Sequence, residues 1–174
     1  MPQIHLFSGL GSSLLPGLRS GTLTLEKMID KLNYADAKHH IWNDWKAVAA
    51  SIEPNGGPVI LIGHSNGVLA CASVAKALQD RKIKVAYVGA IDPTAARFPA
   101  FGNNVQRVDE FWASSGFPHA ARGCPTLGQG KCLFDQDFAG KHQLFHVRGS
   151  HIGVVSDEQL QATIVESVKT VVRN

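Results

Sequence analysis

The sequence predicts an α/β domain built on a mostly parallel, six-stranded sheet with helices on both faces. Two observations carry this. Short β-branched runs alternate with helix-period patterns along the whole chain of 174 residues. Two of those runs, VILI at 59–62 and VAYVGAI at 85–91, are almost continuously apolar, as central strands covered on both faces must be.

In chain order, the first strand is expected at 3–7 (QIHLF), followed by a helical pattern over 23–33. KHHIW at 38–42 reads as the second strand, and 44–53 as a helix. PVILI at 58–62 is the third strand and 67–80 the helix that follows it. KVAYVGAI at 84–91 is the fourth strand. The segment 93–104 (PTAARFPAFGNN) is too short and too broken by proline to hold a full helix. VQRVDEF at 105–111 and QLFHVR at 143–148 complete the strands. The last helix, 157–172, opens with acidic residues and spaces Leu160, Ile164, Val168 and Val171 along one face. Between the fifth and sixth strands lies an excursion, 112–142, rich in Gly, Pro and polar side chains. Its length suits either a cover over a substrate site or a plain surface loop.

Bulk properties narrow the function classes. A chain of this length is expected to form one domain, 1–174, burying roughly 70% of its unfolded surface. The net charge is only +3, and no run of Lys and Arg stands out, so nucleic acid is not an expected partner. No segment approaches the roughly 20 apolar residues of a membrane span. The first residues, MPQIHLFSG, enter a strand at once without a signal-like core, so a cytoplasmic location is expected. Three cysteines do not make a disulfide framework. Cys71 reads as a small buried residue of a helix. Cys124 and Cys132 bracket the loop CPTLGQGKC. A bridge there would be worth about 2.5 kcal/mol, but a reducing compartment would leave it open, so both states stand.

The chemistry concentrates at Gly63-His64-Ser65-Asn66-Gly67, between an apolar strand and a helix. A sharp strand-to-helix turn forces its central residue into a strained backbone, and side chains at the flanking glycine positions would strike neighbouring main chain. The result is a serine hydroxyl exposed beside a helix N-terminus, where free N–H groups favour a developing oxyanion. Serine at its free pKa is a weak nucleophile, so it needs a base and an acid to orient that base. His151, in the loop GSHIG just past the last strand, lies on the same sheet edge. By contrast His5, His39, His40 and His146 fall within strands, His64 lies in the corner itself, and His119 and His142 lie in or beside the excursion. Asp92 ends an apolar strand and is followed by a proline that stops the ladder, which directs it to that edge as well. Asp109, Asp135 and Asp137 are its rivals. The two oxyanion donors are then the main-chain N–H groups of Asn66 and of Leu10, the latter in the loop FSGLGSS after the first strand.

Other chemistries fit less well. Ser8-Gly9-Leu10-Gly11 begins like a dinucleotide fingerprint, but Leu14 stands where its third glycine belongs and Pro16-Gly17 interrupt the helix. His39 and His40 project to opposite strand faces, and His142 and His146 would stand about 13 Å apart on a strand, so no metal site is expected. No cofactor is expected either.

These motifs, FSGLG, PVILIGHSNG, VAYVGAIDP, NNVQRVDEFW and GSHIGVV, resemble the α/β-hydrolase superfamily, and within it small bacterial lipase- or esterase-like serine hydrolases, over nearly all the chain except 112–142. The resemblance implies a minimal α/β-hydrolase core with a Ser65–His151–Asp92 triad. In some lipases of that family the acid sits in a strand-ending Asp-Pro-Ala directly after the nucleophile helix, which Asp92-Pro93-Thr94 resembles. The first-strand loop lacks the His-Gly common in lipases, and no long apolar lid is visible. The activity implied is hydrolysis of a small-molecule ester or acyl substrate through an acyl-enzyme. Thioesterase and polymer-directed esterase activities share the same triad, and a non-catalytic binding protein on this fold is the reading from another class. Leu14, Phe98, Phe101, Phe111, Trp112 and Phe117 are candidate pocket walls. Substrate identity and oligomeric state have no signature in the sequence.

Overall fold

Six strands carry the β-branched runs: β1 (Gln3–Ser8), β2 (Lys38–Ile41), β3 (Val59–His64), β4 (Val85–Ile91), β5 (Arg107–Ala113) and β6 (Lys141–Val147). The computed structural model describes residues 1–9, 28, 31–32, 37–93, 99–113, 131–151 and 153–173. The strands form one sheet in the order β2-β1-β3-β4-β5-β6. Every neighbouring pair is parallel, so the sheet is all-parallel where a mostly parallel one was expected.

Among the described residues, three helices have defined limits: α1 (Trp45–Ser51), entered through a 3-10 turn at Trp42–Asp44, then α2 (Asn66–Asp80) and α3 (Glu158–Arg173). α1 stops before Ile52, whose backbone is already extended at φ −72° and ψ 123°. α3 is capped by Asp157, whose Oδ1 accepts the Leu160 N–H at 2.8 Å. Of the helix expected over 23–33, only Met28, Lys31 and Leu32 are described; all three are helical, and Met28 and Leu32 are buried.

Strand periodicity divides the core into two layers. Phe7, Val59 and Leu61 face α1 and α2, packing with Val48, Val68, Cys71, Val74 and Leu78. Ile4, Leu6, Ile60 and Ile62 face the other way, packing with Met28, Leu32 and the Leu160, Ile164 and Val168 stripe of α3. Helices therefore cover both faces. Phe101 and Phe111, expected as pocket walls, are instead core residues, each 1% exposed and one in each layer. Trp112 is turned to Glu110, to whose carboxylate its Nε1–H donates at 2.8 Å. Leu14, Phe98 and Phe117 lie outside the described residues.

Four strand ends fall beyond their expected limits, β1 by the single residue Ser8. β3 runs on through Gly63 and His64, and the ladder extends into the corner, where the Ser65 N–H donates to the Ile91 carbonyl at 2.9 Å. β5 ends at Ala113 and β6 begins at Lys141, so Trp112 and His142 belong to strands and the excursion is shorter at both ends. The cause is a buried carboxylate. Glu110, 2% exposed, accepts hydrogen bonds from Trp112 Nε1, His142 Nε2 and the Cys132 main-chain N–H. Polar and aromatic residues that read as loop are thus satisfied inside the sheet. Cys132 is a buried free thiol, and burial pushes its pKa up; Cys124 lies outside the described residues.

The strand order places the site. From β1 the chain moves to β2 on one side, whereas β3 and all later strands add on the other. β1 and β3 thus flank the switch point, and the crevice beyond their carboxyl ends is where open parallel sheets bind ligands.

Candidate active site

Ser65 stands at that crevice, between the end of β3 and the start of α2. Its backbone is left-handed, φ 58° and ψ −123°, a strained conformation for a residue with a side chain. The glycines on either side make the corner possible. A Cβ at Gly67 would lie 2.1 Å from the Phe7 carbonyl oxygen, and one at Gly63 would lie 2.5 Å from Gly67 main chain. No side chain fits either place. The chain just after β1 is also close, since a Cβ at Gly9 would lie 2.8 Å from the Ser65 Cβ. That approach brings Gly9 to the serine side chain.

The three residues singled out from the sequence meet in a chain of hydrogen bonds. The Ser65 Oγ lies 3.0 Å from His151 Nε2. His151 Nδ1 lies 2.7 Å from Asp92 Oδ2. Asp92 is fully buried, at 0% exposure, while His151 is partly exposed at the rim. Since a carboxylate only accepts, the Nδ1 carries the proton and Nε2 turns its lone pair to the serine hydroxyl. Asp92 itself has a positive φ of 41°, which aspartate tolerates better than most side chains. Its N–H donates to the Phe111 carbonyl at 2.7 Å, and its Oδ1 accepts the Ala113 N–H at 3.1 Å. The carboxylate is therefore seated by the ends of both β4 and β5.

The rival carboxylates are placed differently. Asp109 takes a two-pronged ion pair from Arg107, at 2.9 and 2.8 Å, plus the Ser167 hydroxyl at 3.0 Å. That pairing raises the Arg107 pKa further. Asp137 is exposed in a turn, and Asp135 caps the same turn by accepting the Phe138 N–H through its main chain.

Asn66 opens α2, at the end of the helix that carries its partial positive charge. Leu10, the other expected donor, lies outside the described residues. Among the described residues, no group of three or more His, Cys, Asp or Glu is arranged to hold a metal ion, and no helix is long and apolar enough to cross a membrane.

One further neighbour, which its place in the sequence did not single out, belongs to the site. His64 Nε2 donates to the main-chain carbonyl of His151 at 2.8 Å, and the two rings sit 4.9 Å apart at a 35° tilt. Burial first, and His151 beside it second, push the His64 pKa down to about 4, so the ring is neutral near pH 7. The two residues are 87 positions apart, and no local pattern announces the contact. Compared with known proteins, the chain matches no protein-family model and no curated protein, so the case for this site stands on its geometry.

Proposed function

We propose that the chain is a serine hydrolase of the α/β-hydrolase type that cleaves a carboxylic ester through an acyl-enzyme intermediate. One observation carries this reading: the unbroken run from the Ser65 hydroxyl through the His151 imidazole to the buried Asp92 carboxylate, at 3.0 and 2.7 Å, on a serine with a positive φ.

His151 Nε2 takes the Ser65 proton as the oxygen attacks the ester carbonyl, and later returns it to the leaving alcohol. Asp92 holds the Nδ1–H tautomer and stabilises the imidazolium that forms between the two transfers. The carbonyl oxygen, now negative, is held by the main-chain N–H of Asn66 and, following the sequence pattern, that of Leu10. Each such donor is worth about 3 kcal/mol of transition-state stabilisation. Water then enters by the same route and releases the acid. The partner is a small-molecule ester or acyl compound.

The test is covalent labelling with a fluorophosphonate probe, read by intact mass and peptide mapping. Wild-type protein adds one phosphonate on Ser65, and the Ser65→Ala variant adds none. A folded wild type that never labels would overturn the proposal. A panel of p-nitrophenyl esters and matched thioesters of increasing acyl length, with Ser65→Ala as blank, then separates esterase from thioesterase action.

A further inference from the structure

His151 has the longest reach of the three residues. Ser65 directly follows β3 and Asp92 directly follows β4, and these strands are hydrogen-bonded neighbours, with His64 and Ile91 in register. His151 instead comes from the loop after β6, three strands away from β3 in the sheet. That loop is braced internally by the Val154 N–H on the Ser150 carbonyl and the Gly153 N–H on the Ser150 hydroxyl. These bonds shape the loop but do not tie it to the serine.

Resting on the hydrolase reading above, we propose that His64 is a positioning residue that anchors the His151 main chain to the β3 frame and so keeps the imidazole aligned with Ser65. The atoms define the role. His64 Nε2 faces a carbonyl oxygen at 2.8 Å, and a carbonyl has no proton to give, so Nε2 must be the donor. The donor belongs to the residue directly before Ser65, so the peptide that positions the nucleophile also grips the base. Asp92 holds the ring of His151 from the far side and His64 holds its backbone. Together they restrain both ends of the side chain. His64 is buried, at 8% exposure, which limits competition from water for the bond. It is also neutral, so it sets no full charge against the imidazolium of the working cycle. A misplacement of about 1 Å in a reacting group costs on the order of 100-fold in rate, which sets the scale of the effect.

The experiment compares two polar replacements. In His64→Gln the amide nitrogen reaches the place of Nε2 and restores the donor. In His64→Asn the nitrogen falls where Nδ1 was, short of the carbonyl. The readouts are kcat and KM on p-nitrophenyl butyrate, the rate of phosphonate labelling at Ser65, and the downfield Nδ1 proton resonance of His151. The expected result is a kcat for H64Q within about threefold of wild type, and for H64N a fall of about 10- to 100-fold with KM little changed. The His151 resonance persists in H64Q and is broadened by solvent exchange in H64N. Should H64N fail to fold by near-UV circular dichroism, H64F provides the donor-free comparison. Equal rates and equal resonances in folded H64Q and in the donor-free variant would overturn the role. The resonance is observed whether or not the protein turns over substrate. A wild type without activity but with the expected resonance contrast would therefore sink the hydrolase reading and leave the anchoring intact.

Discussion

Replacing Asp92 by Asn exchanges one heavy atom and, on the proposed hydrolase reading, should remove nearly all catalysis. In the native site Oδ1 accepts the Ala113 N–H at 3.1 Å and Oδ2 accepts the His151 Nδ1–H at 2.7 Å. An asparagine has one oxygen and one NH2 group to place at those two positions. The Ala113 N–H is a main-chain donor that cannot change, so it claims the oxygen. Turning the amide the other way would set two donors against each other in a fully buried place, at a cost of about 1–3 kcal/mol. The NH2 therefore faces His151 Nδ1, which must become the acceptor. The imidazole proton moves to Nε2 and points at Ser65, and the base no longer has a lone pair for the hydroxyl. In serine proteases the corresponding change lowers kcat by about 10⁴, or about 5.5 kcal/mol at 1.36 kcal/mol per decade. The assay is steady-state hydrolysis of p-nitrophenyl butyrate, with near-UV circular dichroism to check that the variant folds. A folded D92N within tenfold of wild type would refute the argument, because some other group would then be setting the tautomer.

Two further outcomes are expected. Gly67→Ala puts a methyl 2.1 Å from the Phe7 carbonyl oxygen, so β1 and α2 must part by about 1 Å in a packed core; a loss of about 3 kcal/mol and a Tm lowered by about 10 °C follow. Gly89→Ala is the control, since its nearest neighbour would be an ordinary contact at 3.4 Å, and equal melting of the two variants would contradict the steric account of the corner. Stability should also depend on pH through His5 and His64. Burial pushes each pKa down to about 4 from 6.5, with His40 and Lys38 acting on His5 in the same direction, and His151 opposed by Asp92 at His64. Between those pH values the unfolded chain binds protons that the folded chain refuses. The contribution is therefore complete above about pH 6.5 and falls toward pH 4, by up to about 3 kcal/mol for each histidine. Urea midpoints measured from pH 7 to 4.5 should decline, whereas a flat profile would show that these rings are not held neutral.

The sheet and the meeting of Ser65, His151 and Asp92 at its edge were legible from related signals. A parallel strand buried on both faces is written as a continuous apolar run, and the residue that ends it emerges at the carboxyl edge whatever the rest of the fold does. PVILIGHS and VAYVGAID each carry such a run and such an ending, so Ser65 and Asp92 could be located before any contact was known. His151 was located by its loop alone, since β6 is a mostly exposed edge strand without such a run and ends at Val147. The strand limits were less legible. Trp112 and His142 lack the apolar signature, and only the buried Glu110 that binds both of them explains their place in the sheet.

Taken alone, the order of residues determined which elements form, since periodicity and turn chemistry act over a few positions along the chain. It also determined that a serine between two glycines would be forced into a strained corner. Tertiary structure alone decided that Phe101 and Phe111 fill the core and that the Asp109 carboxylate belongs to Arg107. It alone joined His64 to the backbone of His151. Those contacts depend on how the strands are ordered side by side, and a hydrogen bond between residues 87 positions apart has no counterpart in local pattern.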